Sequence, residues 1–229
     1  MAKDADMNAK KVFSSSAFHF ALRKGQLVAM EFLLAHGADS LAKDMLGMTA
    51  LHFVVENGQL AAMECLLAHG ADSLAKDMLR GMTALHFAVE NGQLAAMKCL
   101  LAHGADSLAK VMLRGMTALH FAVGNGQLEA MGCLMAHGAD LNAKDEDSKT
   151  AFHNTARNGH MAAMECLLAH GADPLAKDER YGKTAFHFAV EYGECPTAVV
   201  LVLLAAGADR TANSKFGQTA FDVAGWQKE

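Results

Sequence analysis

The sequence predicts an all-α fold of stacked helix–turn–helix units, and three observations carry that prediction. First, the 34-residue stretch Gly81–Arg114, GMTALHFAVENGQLAAMKCLLAHGADSLAKVMLR, recurs with small changes along most of the 229-residue chain. Second, Gly37, Gly70, Gly104, Gly138, Gly171 and Gly207 follow runs of helix formers at spacings of 33, 34, 34, 33 and 36. Third, a tetrapeptide opens each unit. It reads Ser16-Ala17-Phe18-His19, Thr49-Ala50-Leu51-His52, Thr83-Ala84-Leu85-His86, Thr117-Ala118-Leu119-His120, Thr150-Ala151-Phe152-His153 and Thr184-Ala185-Phe186-His187. A seventh opening, Thr219-Ala220-Phe221-Asp222, has no second helix after it.

Each element of the unit follows from its residues. The Thr83 hydroxyl suits the free N–H groups at a helix start. Ala84–Asn91 follow, with Leu85, Ala88 and Val89 at helical spacing. Asn91-Gly92 ends this helix, because glycine adopts the left-handed conformation needed there. Asn-Gly also marks β-hairpins, but the flanking apolar residues do not alternate. Leu94–His103 make a second helix whose expected buried side holds Leu94, Met97, Cys99, Leu100 and Leu101. Gly104 stops it, and Ala105–Arg114 form an extended connector. Helices this short are marginal alone in water, so units must stack.

These openings, the glycine between helices and the Gly-Ala-Asp after the second helix resemble the ankyrin-repeat family, whose unit carries T-P-L-H. The resemblance covers residues 4–229. One departure is consistent: Ala stands in every copy where the family has Pro, exchanging a preset φ for the best helix former. The resemblance implies an all-α ankyrin-repeat solenoid whose connectors pair as short β-hairpin fingers. The expected organisation is one elongated domain with repeats at 14–46, 47–80, 81–114, 115–147, 148–181 and 182–216. Residues 1–13 would be an N-terminal cap or the tail of a preceding repeat, and 217–229 a C-terminal capping half-repeat.

Composition agrees. Just over half of the residues (52%) are apolar, and the formal net charge is −5 with no sustained basic run, so nucleic acid lacks its electrostatic footprint. The apolar run Ala198–Ala206 is too short to cross a bilayer. Met1–Lys11 lacks the apolar core of a signal peptide. Cys65, Cys99, Cys133 and Cys166 share one second-helix slot where the first unit has Phe32. Neighbouring helices pack about 8–10 Å apart, beyond the roughly 7 Å limit between disulfide-linked α-carbons. They are therefore read as unpaired, buried small apolar side chains, which fits an intracellular, cytoplasmic setting. Cys195 lies off this register.

Taken in order, Asp4–Lys10 repeats the pattern of Gly138–Lys144, so the chain begins like the end of a unit. Units two to four are nearly identical. Their connectors carry Asp44-Met45-Leu46, Asp77-Met78-Leu79-Arg80 and Val111-Met112-Leu113-Arg114, each followed by Gly-Met-Thr. Solvated turns are ordinarily polar, so three Met-Leu tips predict an exposed apolar strip. Unit five has the acidic tip Asp145-Glu146-Asp147 and places Arg157 where units two and three have Glu. Unit six carries an insertion around Glu194-Cys195-Pro196, and Pro196 belongs in the turn or at a helix start. Trp226 and charged residues close the chain.

Two rows of histidine need an account. His19, His52, His86, His120, His153 and His187 lie on first helices, where the resemblance implies buried, neutral rings that hydrogen-bond connector backbone and tie units together. His36, His69, His103, His137 and His170 precede the second-helix glycine, where His suits a helix C-terminus. Rows running along a stack do not converge on one ion as metal ligands must. Gly182-Lys183-Thr184 echoes a phosphate loop, but Lys177 occupies the position of its first glycine. No nucleophile stands apart from the repeat pattern with a partner, so no enzyme, cofactor or metal site is predicted.

The predicted function is a non-catalytic protein–protein interaction module. By resemblance, the partner meets a concave surface of finger tips and first helices. The finger positions are Met45, Leu46 and Met48, then Met78, Leu79, Arg80 and Met82, then Met112, Leu113, Arg114 and Met116. The first-helix ends add Glu56, Asn57, Glu90, Asn91 and Asn125. Met adapts to varied apolar partners, and a flanking Arg pairs with carboxylates. The competing account packs these Met and Leu side chains finger against finger. Two further roles stay open: a regulatory or targeting segment of a larger protein such as an enzyme, and a self-associating structural element. A monomer that binds a protein partner, without nucleic acid or membrane insertion, is the expected state.

Overall fold

The computed structural model describes residues 17–192 and 196–223. The segment Asp4–Lys10, the serines Ser14–Ser16, the Glu194-Cys195 turn and Trp226 lie outside the described residues. The chain forms two compact units, Met1–Met112 and Leu113–Glu229.

The first unit contains α1 (Ala17–Arg23), α2 (Leu27–Ala35), α3 (Ala50–Glu56), α4 (Leu60–Ala68), α5 (Ala84–Glu90) and α6 (Leu94–Ala102). Here α3 packs between α1 and α5, and α4 packs against α2 and α6. The second unit contains α7 (Ala118–Gly124), α8 (Leu128–Ala136), α9 (Ala151–Asn158), α10 (Met161–Ala169), α11 (Ala185–Tyr192), α12 (Pro196–Ala205) and α13 (Ala220–Val223). Its α9 lies between α7 and α11, α11 also meets α13, and α10 lies between α8 and α12. Pro196 takes the first position of α12, where its missing N–H would have no helical partner anyway.

The first helices start on a reciprocal box rather than on a threonine hydroxyl alone. In α3 the Thr49 side chain takes the His52 backbone N–H, while His52 Nδ1 takes the Thr49 backbone N–H at 3.1 Å. Thr83/His86, Thr117/His120 and Thr150/His153 repeat it. With Nδ1 accepting, the ring proton belongs on Nε2, which points at the next connector. His52 Nε2 donates to the Met82 carbonyl at 3.1 Å, and His153 Nε2 to the Ala176 carbonyl at 3.0 Å. His120 reaches the Lys149 carbonyl at 3.3 Å and His187 the Gln218 carbonyl at 3.2 Å. The rings of His52, His120, His153 and His187 thus cap their own helices and fasten the connectors that follow.

The second helices end on a left-handed glycine. Gly104 has φ +81°, Gly104 N–H reaches the Leu101 carbonyl at 3.1 Å and Ala105 N–H the Leu100 carbonyl at 3.0 Å. That pair of bonds satisfies carbonyls the helix leaves free. The buried face of α6 is Ala96, Met97, Leu100 and Leu101, and each large side chain contributes about 1.5–3 kcal/mol by burial. Met30, Met63, Met131 and Met164 repeat the Met97 position.

Two expectations for this helix are corrected. Leu94 is only half-buried, and so are Cys65, Cys99, Cys133 and Cys166. The cysteine slot lies off the buried stripe, beside the histidine one turn later. Cys65 Sγ and Cys99 Sγ each lie 3.7 Å from that ring, while the Nδ1–H of His69 and His103 donates to the cysteine's own carbonyl at 2.8 and 2.9 Å. The second histidine row therefore caps helix C-termini.

Among the described residues the connectors form no β-ladder. Strand pairing in the fingers is limited to isolated bridges such as Lys177–Thr184. Asparagine ties one pair of connectors: Asn142 Oδ1 accepts the Asp173 N–H at 3.0 Å. Leu41, Leu74, Leu108 and Leu175 hold the corresponding place and are exposed. Asn142→Leu is expected to lower the unfolding free energy by about 1 kcal/mol, read as a lower urea midpoint. An unchanged midpoint would mean that this bond adds nothing net.

Candidate partner-binding surface

Asp44, Asp77, Asp145 and Asp178 each close a finger, while Val111 and Ser214 hold that place in the third and sixth. Asp77 Oδ1 accepts the backbone N–H groups of Arg80 and Met82, both at 3.0 Å. Asp44 Oδ1 accepts those of Leu46 and Met48 at 2.8 and 2.9 Å. The residue after this position faces the preceding finger with its N–H, whether aspartate or Val111 stands before it. Met78 N–H donates to the Leu46 carbonyl and Met112 N–H to the Arg80 carbonyl, each at 2.8 Å. At the first two tips the following glycine has the next finger lying on it. A Cβ on Gly47 would come 2.4 Å from Met78 Cγ, and one on Gly81 would come 2.3 Å from Met112 Cγ.

Both accounts of the tips therefore hold, for different atoms of one side chain. The Cβ and Cγ of Met78 and Met112 rest against the preceding finger, while the two residues are 69% and 64% exposed. Met45, Leu46 and Leu79 are exposed beside them in the first unit. In the second unit Leu113 and Arg114 are exposed too.

Met48 and Met82 do not belong to this surface. They are 8% and 0% exposed, because the chain turns inward after the glycine and the Met82 carbonyl receives His52. Met116, at the same step, is half-buried. Arg80 and Glu90 satisfy each other through a two-point pair, Nη2–Oε1 at 2.6 Å and Nη1–Oε2 at 3.1 Å. That pair holds the second finger beside the end of α5, and the hydrogen bond from Glu90 raises the Arg80 pKa. Asn57 Nδ2 donates to the Phe53 carbonyl at 2.7 Å, closing its own helix. Glu56, Asn91 and Asn125 are exposed at their helix ends.

Aligning the fingers shows a contrast that reading the Met-Leu tips alone misses. The place of Met45, Met78 and Met112 is held by Glu146, Glu179 and Lys215 in the second unit. Each makes the same backbone bond: Glu146 to Arg114 at 2.9 Å, Glu179 to Asp147 at 3.3 Å and Lys215 to Tyr181 at 2.8 Å. Around them Lys149 pairs with Asp147 at 2.9 Å and Lys183 with Glu191 at 2.5 Å. Arg157 sits over the Tyr192 ring at 5.3 Å. At this one position the first unit thus offers methionine and the second unit charged side chains.

Among the described residues no three His, Cys, Asp or Glu side chains gather in a way that could hold a metal ion. Among them no helix is long and apolar enough to cross a membrane.

Helix pairs fastened by capping histidines and joined by finger-like connectors define a helical repeat protein. The chain belongs to the ankyrin-repeat family: the family model described as "Ankyrin repeats (3 copies)" matches residues 1–77, 73–145 and 125–215. The ankyrin repeat domain of human ASB11 superposes with a TM-score of 0.78, covering 92% of each chain at 24% identity. That likeness is one of fold. No curated protein matches the sequence. Ankyrin repeats are generally protein–protein interaction modules, and the fold is typically non-catalytic.

Proposed function

We propose that this chain is a non-catalytic binding module that takes a protein partner on the finger tips of its first unit. The observation that supports this reading is the run Met45, Leu46, Met78, Leu79 and Met112, exposed where solvated turns are ordinarily polar. The second unit fills the same backbone position with Glu146, Glu179 and Lys215, so the fold does not require methionine there. An apolar strip kept in solvent without a folding need is what an adaptable partner surface consists of. The partner's matching surface is apolar, since Arg80 and Glu90 already neutralise each other.

The test is the double variant Met78→Glu/Met112→Glu. Exposed substitutions stay within about 0.5 kcal/mol each, and glutamate already occupies this position at Glu146. Unchanged circular dichroism and melting, with loss of a protein captured by the unaltered chain, is the expected result. Capture retained by a stable double variant would move the site elsewhere. A melting temperature lower by many degrees would assign these methionines to packing.

A further inference from the structure

We propose that Met45, Met78 and Met112 form a reversible oxidation site, at which peroxide-class oxidants convert the finger strip from apolar to polar without unfolding the protein. This rests on the assignment of that strip as the partner surface for its consequence, but not for its chemistry. Among the described methionines these three alone are exposed, at 64%, 69% and 64%. Met30, Met48, Met63, Met82, Met97, Met131 and Met164 are buried, and Met116, Met135 and Met161 are half-buried. The exposed three share one structural position in successive fingers rather than being scattered.

Oxidation proceeds by attack of the thioether sulfur lone pair on a peroxide oxygen. The S–O bond forms as the O–O bond breaks, the departing hydroxide takes the remaining peroxide hydroxyl proton, and one water leaves. Sulfur loses two electrons and the peroxide gains them. The product is a polar, chiral sulfoxide, which sulfoxide reductases reverse with two electrons from a dithiol, releasing the oxygen as water. At a core position that change would disrupt packing. At this position it does not, because the fold already accommodates fully charged groups there. Glu146, Glu179 and Lys215 make the same N–H bond to the preceding finger. Of the Met78 and Met112 side chains, Cβ and Cγ come nearest the glycine below, and the sulfur follows them along the chain. Burial raises the pKa of the Cys65 and Cys99 thiols, which keeps them protonated and slows their competition for oxidant.

Limiting hydrogen peroxide applied to the full chain, followed by peptide mass mapping, tests the site directly. One added oxygen at each of Met45, Met78 and Met112 is expected before any other methionine within residues 17–223 reacts, with the melting temperature unchanged. Retention on phenyl-agarose should fall, and return after treatment with reductases for both sulfoxide epimers plus dithiothreitol. The triple variant Met45→Leu/Met78→Leu/Met112→Leu should keep its retention through the same peroxide treatment. Equal oxidation of the buried methionines would overturn the proposal. So would a collapsed melting transition when only these three carry oxygen, or unaltered retention after their complete conversion. The Met78→Glu/Met112→Glu capture experiment examines the partner surface alone, so failure of that assignment is separable from failure of the oxidation site.

Discussion

Acidification from about pH 7.5 to about pH 5.5 is expected to lower the melting temperature progressively, through the first-helix histidines. Burial is the largest influence on His52, His153 and His187 and lowers the pKa of each. The opposing influence is the Nε2 bond to a carbonyl, from Met82, Ala176 and Gln218 respectively, which favours the protonated ring. Burial prevails because Nδ1 is an acceptor here: a proton on it would leave the Thr49, Thr150 or Thr184 N–H without its partner. The folded pKa therefore lies below the unfolded value of about 6.5. As pH falls through that value the unfolded chain binds protons that the folded chain refuses. Stability is full above about 6.5 and declines below it, by at most about 1.4 kcal/mol per pH unit for each such histidine. Asp147, whose pKa is lowered first by the Lys149 hydrogen bond, acts in a different window. Its contribution is present above the ordinary carboxylate value and is lost only below about pH 4. Scanning calorimetry across that range separates the two. A melting temperature that stays flat or rises between about pH 7 and 5 would show that these rings are not held neutral.

The helices were readable almost to the residue because their ends are written in chemistry. Gly104 must sit past a helix terminus, and α6 indeed stops at Ala102 with His103 as its cap. The finger side chains were harder to place, and the reason is visible in the alignment of units. Met82 is buried and Met78 exposed, yet both positions carry charged residues elsewhere in the chain. At the Met82 position those residues are Lys149 and Lys183, only 18% and 13% exposed as side chains. Their stems lie inside while the ammonium groups reach out to Asp147 and Glu191. A lysine thus marks a buried stem as readily as a solvated tip. The cysteine slot misled for a related reason, since a small apolar side chain fits either a core stripe or its edge. The Arg80–Glu90 pair joins residues ten apart across a glycine turn, a distance at which no helical spacing rule speaks.

Gly81→Ala is expected to be far more damaging than Gly104→Ala, although both glycines have positive φ. The two have φ +65° and +81°, so alanine suffers left-handed strain of about 1–2 kcal/mol at either place. Around Gly104 no atom lies within 4 Å of an added Cβ. At Gly81 the new methyl would come 2.8 Å from the Met112 backbone N as well as close to its Cγ. The Met112 side chain can swing aside, but its N–H is held to the Arg80 carbonyl. Relief requires the third finger to lift from the second. Ser148, which holds the equivalent position in the second unit with φ +60°, shows how the fold accommodates a Cβ there. The following finger's bond, Glu179 to Asp147, is 3.3 Å, against 2.8 Å at Met112. Crowding of this kind adds about 1–3 kcal/mol to the strain. Urea denaturation of the two variants should therefore give Gly81→Ala the lower midpoint by a clear margin. Equal losses would mean that the fingers do not bear on each other through this glycine, and that the methionine strip is not held in place by the contact beneath it.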